Sequence, residues 1–261
     1  MNVLVFDIET IPDIEGGQAI FDLQGLDDAS TAKAMMHMHQ QKTGSDFLPL
    51  HLHKIVAISV LYRGMDDGMG RVVSVHSLGD ENSTERDLLK LFFEEVDSKK
   101  PTIVSWNGSY FDLPVIRYRA LQNTLSLPEY WSEDGNYHHS DVKHALSMHN
   151  PDASAPLNHI AKQLGFPGKI MGMDGCSFSA DGSIWGEYQA GNLKGIRDYC
   201  ETDVLNIYLV YLRYQLILGK LTHEQLEQEF TLLRDALESQ SAKQSDGTGQ
   251  NTHLGAFLKA W

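Results

Sequence analysis

The chain has 261 residues and a mass of 29.2 kDa, enough for one large domain or two small ones and for a core that needs no covalent staples. Hydrophobic residues make up 42%, mean hydropathy is −0.29, and no apolar run reaches about 18 residues, which argues against a membrane-spanning helix. A net charge of −14 disfavours a phosphate backbone as partner, while the cysteines, Cys176 and Cys200, exclude a disulfide scaffold and fit a reducing, cytoplasmic compartment.

The first residues, MNVLVFDIET, lack a basic leader segment, so no signal peptide is expected. Val3 to Ile8 form a β-rich run bounded by Pro12 and predict a buried strand. Residues 13–53 are polar, with a helix expected over Ala29–Gln41. Lys54–Arg63 and Arg71–Leu78 predict two strands paired as a hairpin across the turn-rich GMDDGMG. Asn82 with Glu85 signals a helix start, and Leu88, Leu89, Phe92, Phe93 and Val96 recur at helical spacing until Pro101. Thr102–Trp106 predicts a fourth strand and Leu113–Leu121 a helix with Pro114 in its first turn. Pro156 opens a helix ended by Gly165, and residues 166–183 are expected to form a loop. Ile196–Leu218 predicts a long buried helix, Thr222–Leu237 an acidic one, and residues 239–252 a flexible linker before the apolar segment HLGAFLKAW. Strands followed by strand–helix alternation predict one α/β domain over residues 1–238 with a mixed sheet.

The acidity is clustered. Residues 1–32 carry −7, residues 80–97 carry −5 and residues 222–240 carry −4, which leaves the rest of the chain at +2. Within the first block, Asp7 and Glu9 share one face of the predicted strand and repel unless a proton or a metal intervenes. Asp112 follows the fourth strand in NGSYFD, where α/β sheets place ligands, although an ordinary helix N-cap explains it equally well. Tyr199 and Asp203, in YCETD, are four residues apart on one helix face. Acids drawn from three separate elements suit a pair of hard divalent cations, which take oxygen ligands and stabilise both attacking and leaving oxygens in phosphodiester cleavage.

FDIET, NGSYFD and YCETD, in that order, resemble the three motifs of the DEDD 3′–5′ exonucleases. The histidine-type branch has its base five residues before the last Asp, where this chain has Asp198. The tyrosine-type branch has Tyr four residues before it, where this chain has Tyr199. The pattern is most similar to the exonuclease domain of family-B DNA polymerases, over roughly residues 2–218. No polymerase domain follows, so a stand-alone relative is expected. The resemblance implies an RNase H-like mixed sheet flanked by helices. It also implies a two-metal hydrolase using Mg²⁺ or Mn²⁺, acting on a free 3′ end, single-stranded by expectation, and releasing 5′-mononucleotides. By the same resemblance Asp7, Glu9 and Asp203 would hold the first metal, Asp7 would bridge to a second supported by Asp112, and Tyr199 would orient the attacking water. Thr10, Ile11, Asn107 and Phe111 would lie near the terminal nucleotide.

Other features have plainer expectations. The pairs His37/His39, His51/His53 and His138/His139 lack zinc-finger spacing and are expected to be solvated. Asp141 reads as a helix N-cap or a support for the site. Lys162, Lys169, Lys194 and Arg197 are candidate phosphate contacts, with Arg117 and Arg119 as alternatives. Residues 253–261 are either a segment docked on the domain or a peptide for a protein partner. A haloacid dehalogenase-type phosphatase would need Asp at position 9 and at position 84, where this chain has Glu9 and Thr84. A catalytically silent nucleic-acid-binding or interaction module on the same fold is the remaining alternative.

Overall fold

A computed structural model of the chain describes residues 1–66, 70–131, 138–170, 183–244 and 252–261. Among them, the strands are β1 (Val3–Pro12), β2 (His53–Asp66), β3 (Gly70–Ser77), β4 (Thr102–Ser105) and β5 (His139–Asp141). They form one sheet in the order β3-β2-β1-β4-β5. β2 is antiparallel to both β1 and β3, whereas β4 is parallel to both β1 and β5. This is the expected mixed sheet, flanked by helices on both faces. The expected hairpin of β2 and β3 runs from Ser59 opposite Ser77 to Asp66 opposite Gly70, and its turn lies outside the described residues.

Alternation along β1 divides the core. Leu4, Phe6 and Ile8 face α3 (Glu85–Lys99) and α4 (Asp112–Gln122). Val3 and Val5 face the opposite layer, centred on α8 (Leu193–Ile217) with α6 (Leu157–Gln163), α9 (His223–Gln244) and α10 (His253–Ala260). Asp7 and Glu9 continue the α8-facing row. Opposite them β2 places Ser59 and Ala57, small residues that leave room beside the carboxylates. A bulge follows: Glu9 pairs with Ala57 but Thr10 pairs with Ile55, so Val56 is the extra residue.

Several boundaries differ from the sequence expectation for local physical reasons. α3 is capped by Thr84 in a reciprocal capping box with Asp87, not by Asn82 with Glu85. Glu85 is instead drawn into a buried network: its carboxylate takes the guanidinium of Arg119 at 2.7 Å on both oxygens and the backbone N–H of Ile55 at 2.7 Å, while Arg119 also reaches Asp13 at 2.6 Å. α8 begins three residues earlier than expected because Asn192 caps it through Gly195 N–H. α1 (Ile14–Phe21), which the sequence reading does not include, forms across two glycines, Gly16 and Gly17. Gly17 is required there because a Cβ would stand 2.2 Å from the Met35 sulfur on α2 (Asp28–Thr43). β5 and α7 (Ile184–Gln189) have no counterpart in the sequence expectation, whereas α5 (Val142–Leu146) is the helix that Asp141 is expected to cap.

α9 runs to Gln244, so residues 239–244 of the expected linker are helical, and residues 245–251 lie outside the described residues. The segment that follows is the helix α10. It is packed on its own domain, with Leu254 and Phe257 fully buried, which is the docked alternative rather than a free partner peptide. No helix among the described residues is long and apolar enough to cross a membrane.

A buried ion pair ties the sheet to α9. Arg63 of β2 is 2% exposed and meets Glu229 of α9 through Nε at 2.6 Å and a terminal nitrogen at 2.7 Å, and Tyr208 donates to the same carboxylate at 3.1 Å. Removing one member of such a pair leaves the other charge uncompensated. Glu229→Ala is therefore expected to cost about 3–5 kcal/mol of unfolding free energy in a urea titration. A loss below about 1 kcal/mol would show that Arg63 finds water instead.

Candidate active site

The site is built at the C-terminal ends of the parallel strands β1 and β4, beneath α8. β1 supplies Asp7, half-buried, and Glu9, buried. The segment 107–111 after β4 turns through Asn107, whose φ of +72° is left-handed, and delivers Asp112 at the start of α4, 3% exposed. α8 supplies Tyr199 and Asp203, both buried.

These groups share one electrostatic field. Burial first, then repulsion from Asp112, Glu9 and Asp203, holds the Asp7 carboxyl well above the ordinary carboxylate range. Burial and Asp203 do the same to Glu9. Burial pushes Asp112 up to about 7, and pushes Asp203 up to about 6 against the opposing pull of Lys169 and Tyr199. Burial and the neighbouring acids raise the Tyr199 phenol far above its usual value, so it stays a hydrogen-bond donor, and Asp203 is its partner.

The donor set fits hard cations. One oxygen each of Asp112 and Asp203 is buried with no hydrogen-bond partner among the described residues, an arrangement whose desolvation cost a cation would relieve. Asp7, Glu9 and Cys200 bring one ligand atom each to within 4.8 Å of one another. The Cys200 thiol, unassigned in the sequence reading, donates to the Asp7 carbonyl oxygen at 3.4 Å. Burial and the adjacent carboxylates push it well above its usual range, so it is a protonated neighbour rather than a soft ligand. Cys176 lies outside the described residues.

Asp141 supports the loop as well as capping α5. Its carboxylate accepts the backbone N–H groups of Asn107 at 3.0 Å and Ser109 at 2.9 Å, and of His144 at 3.4 Å. The Asn107 side-chain oxygen is taken by Lys143 and by the His144 ring, each at 3.1 Å. Ile11 is buried in β1. Thr10 bonds the His53 ring at 2.9 Å, and His53 meets the Phe111 ring edge-on at 5.3 Å. Phe47, 56% exposed, tilts against both rings. Phe47 and His53 escaped the sequence reading because their closeness to Phe111 depends on the sheet. His53 is buried rather than solvated, and His139 bonds Ser105 at 2.8 Å.

Of the candidate phosphate contacts, Lys169 is the one whose charge reaches the carboxylates, and its ammonium stands 5.1 Å over the Tyr199 ring. Two others are corrected by the structure, and a third, Lys194, is paired while staying exposed. Arg119 is buried between Glu85 and Asp13. Arg197 donates to the carbonyls of Ser77, Leu78 and Gly79. Lys194 pairs with Asp198 at 2.5 Å. Lys162 and Arg117 are exposed.

A family model for predicted 3′–5′ exonucleases related to the exonuclease domain of PolB matches residues 45–261, which contain Asp112, Tyr199 and Asp203. No curated protein matches the chain. Among solved structures, apo exonuclease I is similar at 13% identity over 93% of this chain and 46% of its own, with a TM-score of 0.39. E. coli exonuclease I in complex with a dA16 oligonucleotide is similar at 12% identity over 92% and 45%, with a TM-score of 0.38. The chain thus spans less than half the length of these structures.

Raised carboxyl values carry a definite sign. Each such group favours the folded state below its unfolded value, and that contribution is lost as pH rises through about 6 for Asp203 and about 7 for Asp112. Metal-free protein should melt lower at about pH 8 than at about pH 5.5, and Mn²⁺ should recover several degrees at the higher pH. Asp112→Asn should raise the metal-free melting temperature at the higher pH and blunt the Mn²⁺ response. Differential scanning calorimetry checks this, and a variant that melts lower than wild type without metal would contradict the repulsion.

Proposed function

Because the chain belongs to the family of predicted 3′–5′ exonucleases related to the exonuclease domain of PolB, we propose that the carboxylate cluster hydrolyses the terminal phosphodiester bond at the 3′ end of a nucleic acid. The observation that carries this reading is the convergence of Asp7, Glu9, Asp112 and Asp203, with two buried carboxylate oxygens that have no hydrogen-bond partner among the described residues. Asp7, Glu9 and Asp203 would hold one divalent cation, and Asp7 with Asp112 a second. Mg²⁺ or Mn²⁺ so bound would supply charge stabilisation for the attacking and leaving oxygens.

The chain's own residues do the rest. Water adds to phosphorus while the bond from phosphorus to the 3′ oxygen of the penultimate nucleotide breaks. The products are a 5′-mononucleotide and a chain with a new 3′ hydroxyl. Tyr199, kept protonated by burial and the surrounding acids, orients the water through its O–H rather than acting as a base. Lys169 offers a positive charge at the mouth of the cluster for a non-bridging phosphate oxygen. The terminal nucleotide would lie along Thr10, Ile11, Asn107 and Phe111, its base against the exposed ring of Phe47. A strand end is favoured over duplex binding because phosphates along a duplex would meet the acidic blocks of the surface. The two cysteines fit a reducing compartment such as the cytoplasm.

Wild-type protein with Mg²⁺ or Mn²⁺ is expected to shorten 5′-labelled single-stranded DNA or RNA one nucleotide at a time, and Asp7→Ala is not. Equal inertness of the two on every substrate would favour a silent binding module. Tyr199→Phe should lower kcat about 10-fold or more with little change in KM. Phe47→Ala should instead raise KM several-fold, consistent with loss of about 1–3 kcal/mol of base stacking. An unchanged KM would remove Phe47 from the substrate path.

A further inference from the structure

α10 is joined to both sides of the carboxylate cluster. At its start His253, 4% exposed, spans two acids of α8: Nε2 lies 2.8 Å from Glu201 Oε2 and Nδ1 lies 3.2 Å from Asp198 Oδ1. These acids stand one residue before and two residues after Tyr199, and Asp203 follows Glu201 by two. The other Glu201 oxygen accepts the backbone N–H and the hydroxyl of Ser77 at 2.8 and 2.7 Å. The Ser77 hydroxyl is 2.8 Å from that of Ser59, the residue paired with Asp7. A line of hydrogen bonds therefore runs from α10 through α8 to the strand floor beside Asp7.

The far end of α10 reaches the other flank. Trp261 meets Phe166 edge-on at 6.4 Å and Phe230 at 5.6 Å, and the Arg234 guanidinium lies 4.0 Å over its ring. Phe166 precedes Lys169 by three residues. Between them Gly168 is clamped by the Asn206 side chain of α8, which accepts from its N–H at 3.0 Å and donates to its carbonyl at 2.9 Å.

We infer that α10 is a positioning element of the nuclease site, with His253 fixing the turn of α8 that carries Tyr199 and Trp261 fixing the segment that carries Lys169. The inference rests on the nuclease reading given above. Both residues act through others, so they are positioning rather than catalytic residues. Packing of an apolar helix explains Leu254 and Phe257. It does not explain a buried imidazole placed between two acids, because burying that group costs free energy that a leucine would not.

The test compares wild type with His253→Ala, His253→Gln and Trp261→Ala. It uses steady-state cleavage of labelled single-stranded oligonucleotides with Mn²⁺, and amide hydrogen exchange of the metal-free proteins. His253→Ala should lower kcat at least about 10-fold while KM changes less than about threefold, since a displacement of about 1 Å at the reacting groups costs this much or more. His253→Gln, whose amide can donate to Glu201, should recover most of the loss. Trp261→Ala should raise KM several-fold and speed exchange over residues 166–170, as His253→Ala should over residues 196–204. Folded His253→Ala with wild-type kcat would overturn the inference, as would equal impairment of the Ala and Gln variants or exchange unaltered in both segments. If His253→Ala does not fold, the Gln variant and Trp261→Ala decide alone. If wild type cleaves neither DNA nor RNA, the nuclease reading falls, and the exchange data still decide whether α10 holds the two segments.

Discussion

The whole arrangement depends on keeping four carboxylates together in a buried corner where they repel. Two like charges about 4 Å apart at an effective dielectric near 20 oppose each other by about 4 kcal/mol. The fold does not relieve this with arginines at the cluster. Its buried guanidinia are committed elsewhere, Arg63 to Glu229 and Arg119 to Glu85 and Asp13. Those pairs fix β2 to α9, with Tyr208 of α8 on the same carboxylate, and α4 to α3 and to Asp13 just after β1, so they brace the elements that carry the acids against separating. With the guanidinia of the frame paired elsewhere, the carboxylates have protons, Lys169 or a cation to relieve their repulsion, and a bound cation would displace the protons.

Much of this could be read in the sequence. Val3 to Glu9 announced a strand whose buried face turns from valine to carboxylate, and the periodicity of α8 placed Tyr199 and Asp203 on one side. The family follows from the matched residues 45–261. What stayed hidden was set by tertiary context. β5 is the polar triplet His139–Asp141, a strand only because β4 runs beside it. α1 contains Gly16 and Gly17, which disfavour a helix on their own, and Gly17 lets the Met35 side chain of α2 pack against it. Arg119 looked like a phosphate ligand because its partners, Asp13 and Glu85, lie far away in sequence. Lys169 could not be separated from Lys162 or Lys194 before the loop was laid against α8.

The net charge acquires a finer meaning from these pairings. Asp13, Glu85, Glu229, Asp198 and Glu201 belong to the acidic total, yet Arg119 holds the first two, Arg63 holds Glu229, and His253 bonds both Asp198 and Glu201, with the exposed Lys194 also on Asp198. These pairs leave the formal −14 unchanged, since it already counts their cations, but they keep the paired acids from facing an approaching phosphate as bare charges, and Lys169 stands at the rim of the site. A count of charges describes a solution of side chains, whereas a substrate meets the remainder after the fold has paired its own.

The bulge at Val56 makes strand length carry chemical information. Side chains alternate along β2, so the extra residue decides which of them turn toward Thr10. With it, His53 bonds Thr10 and abuts Phe111. A chain shorter by that one residue would keep every motif letter intact and yet exchange the inward and outward faces of residues 53–55. Homologous chains could therefore share all the acids and still differ in how they cradle a nucleotide, through a spacing that no motif comparison would record.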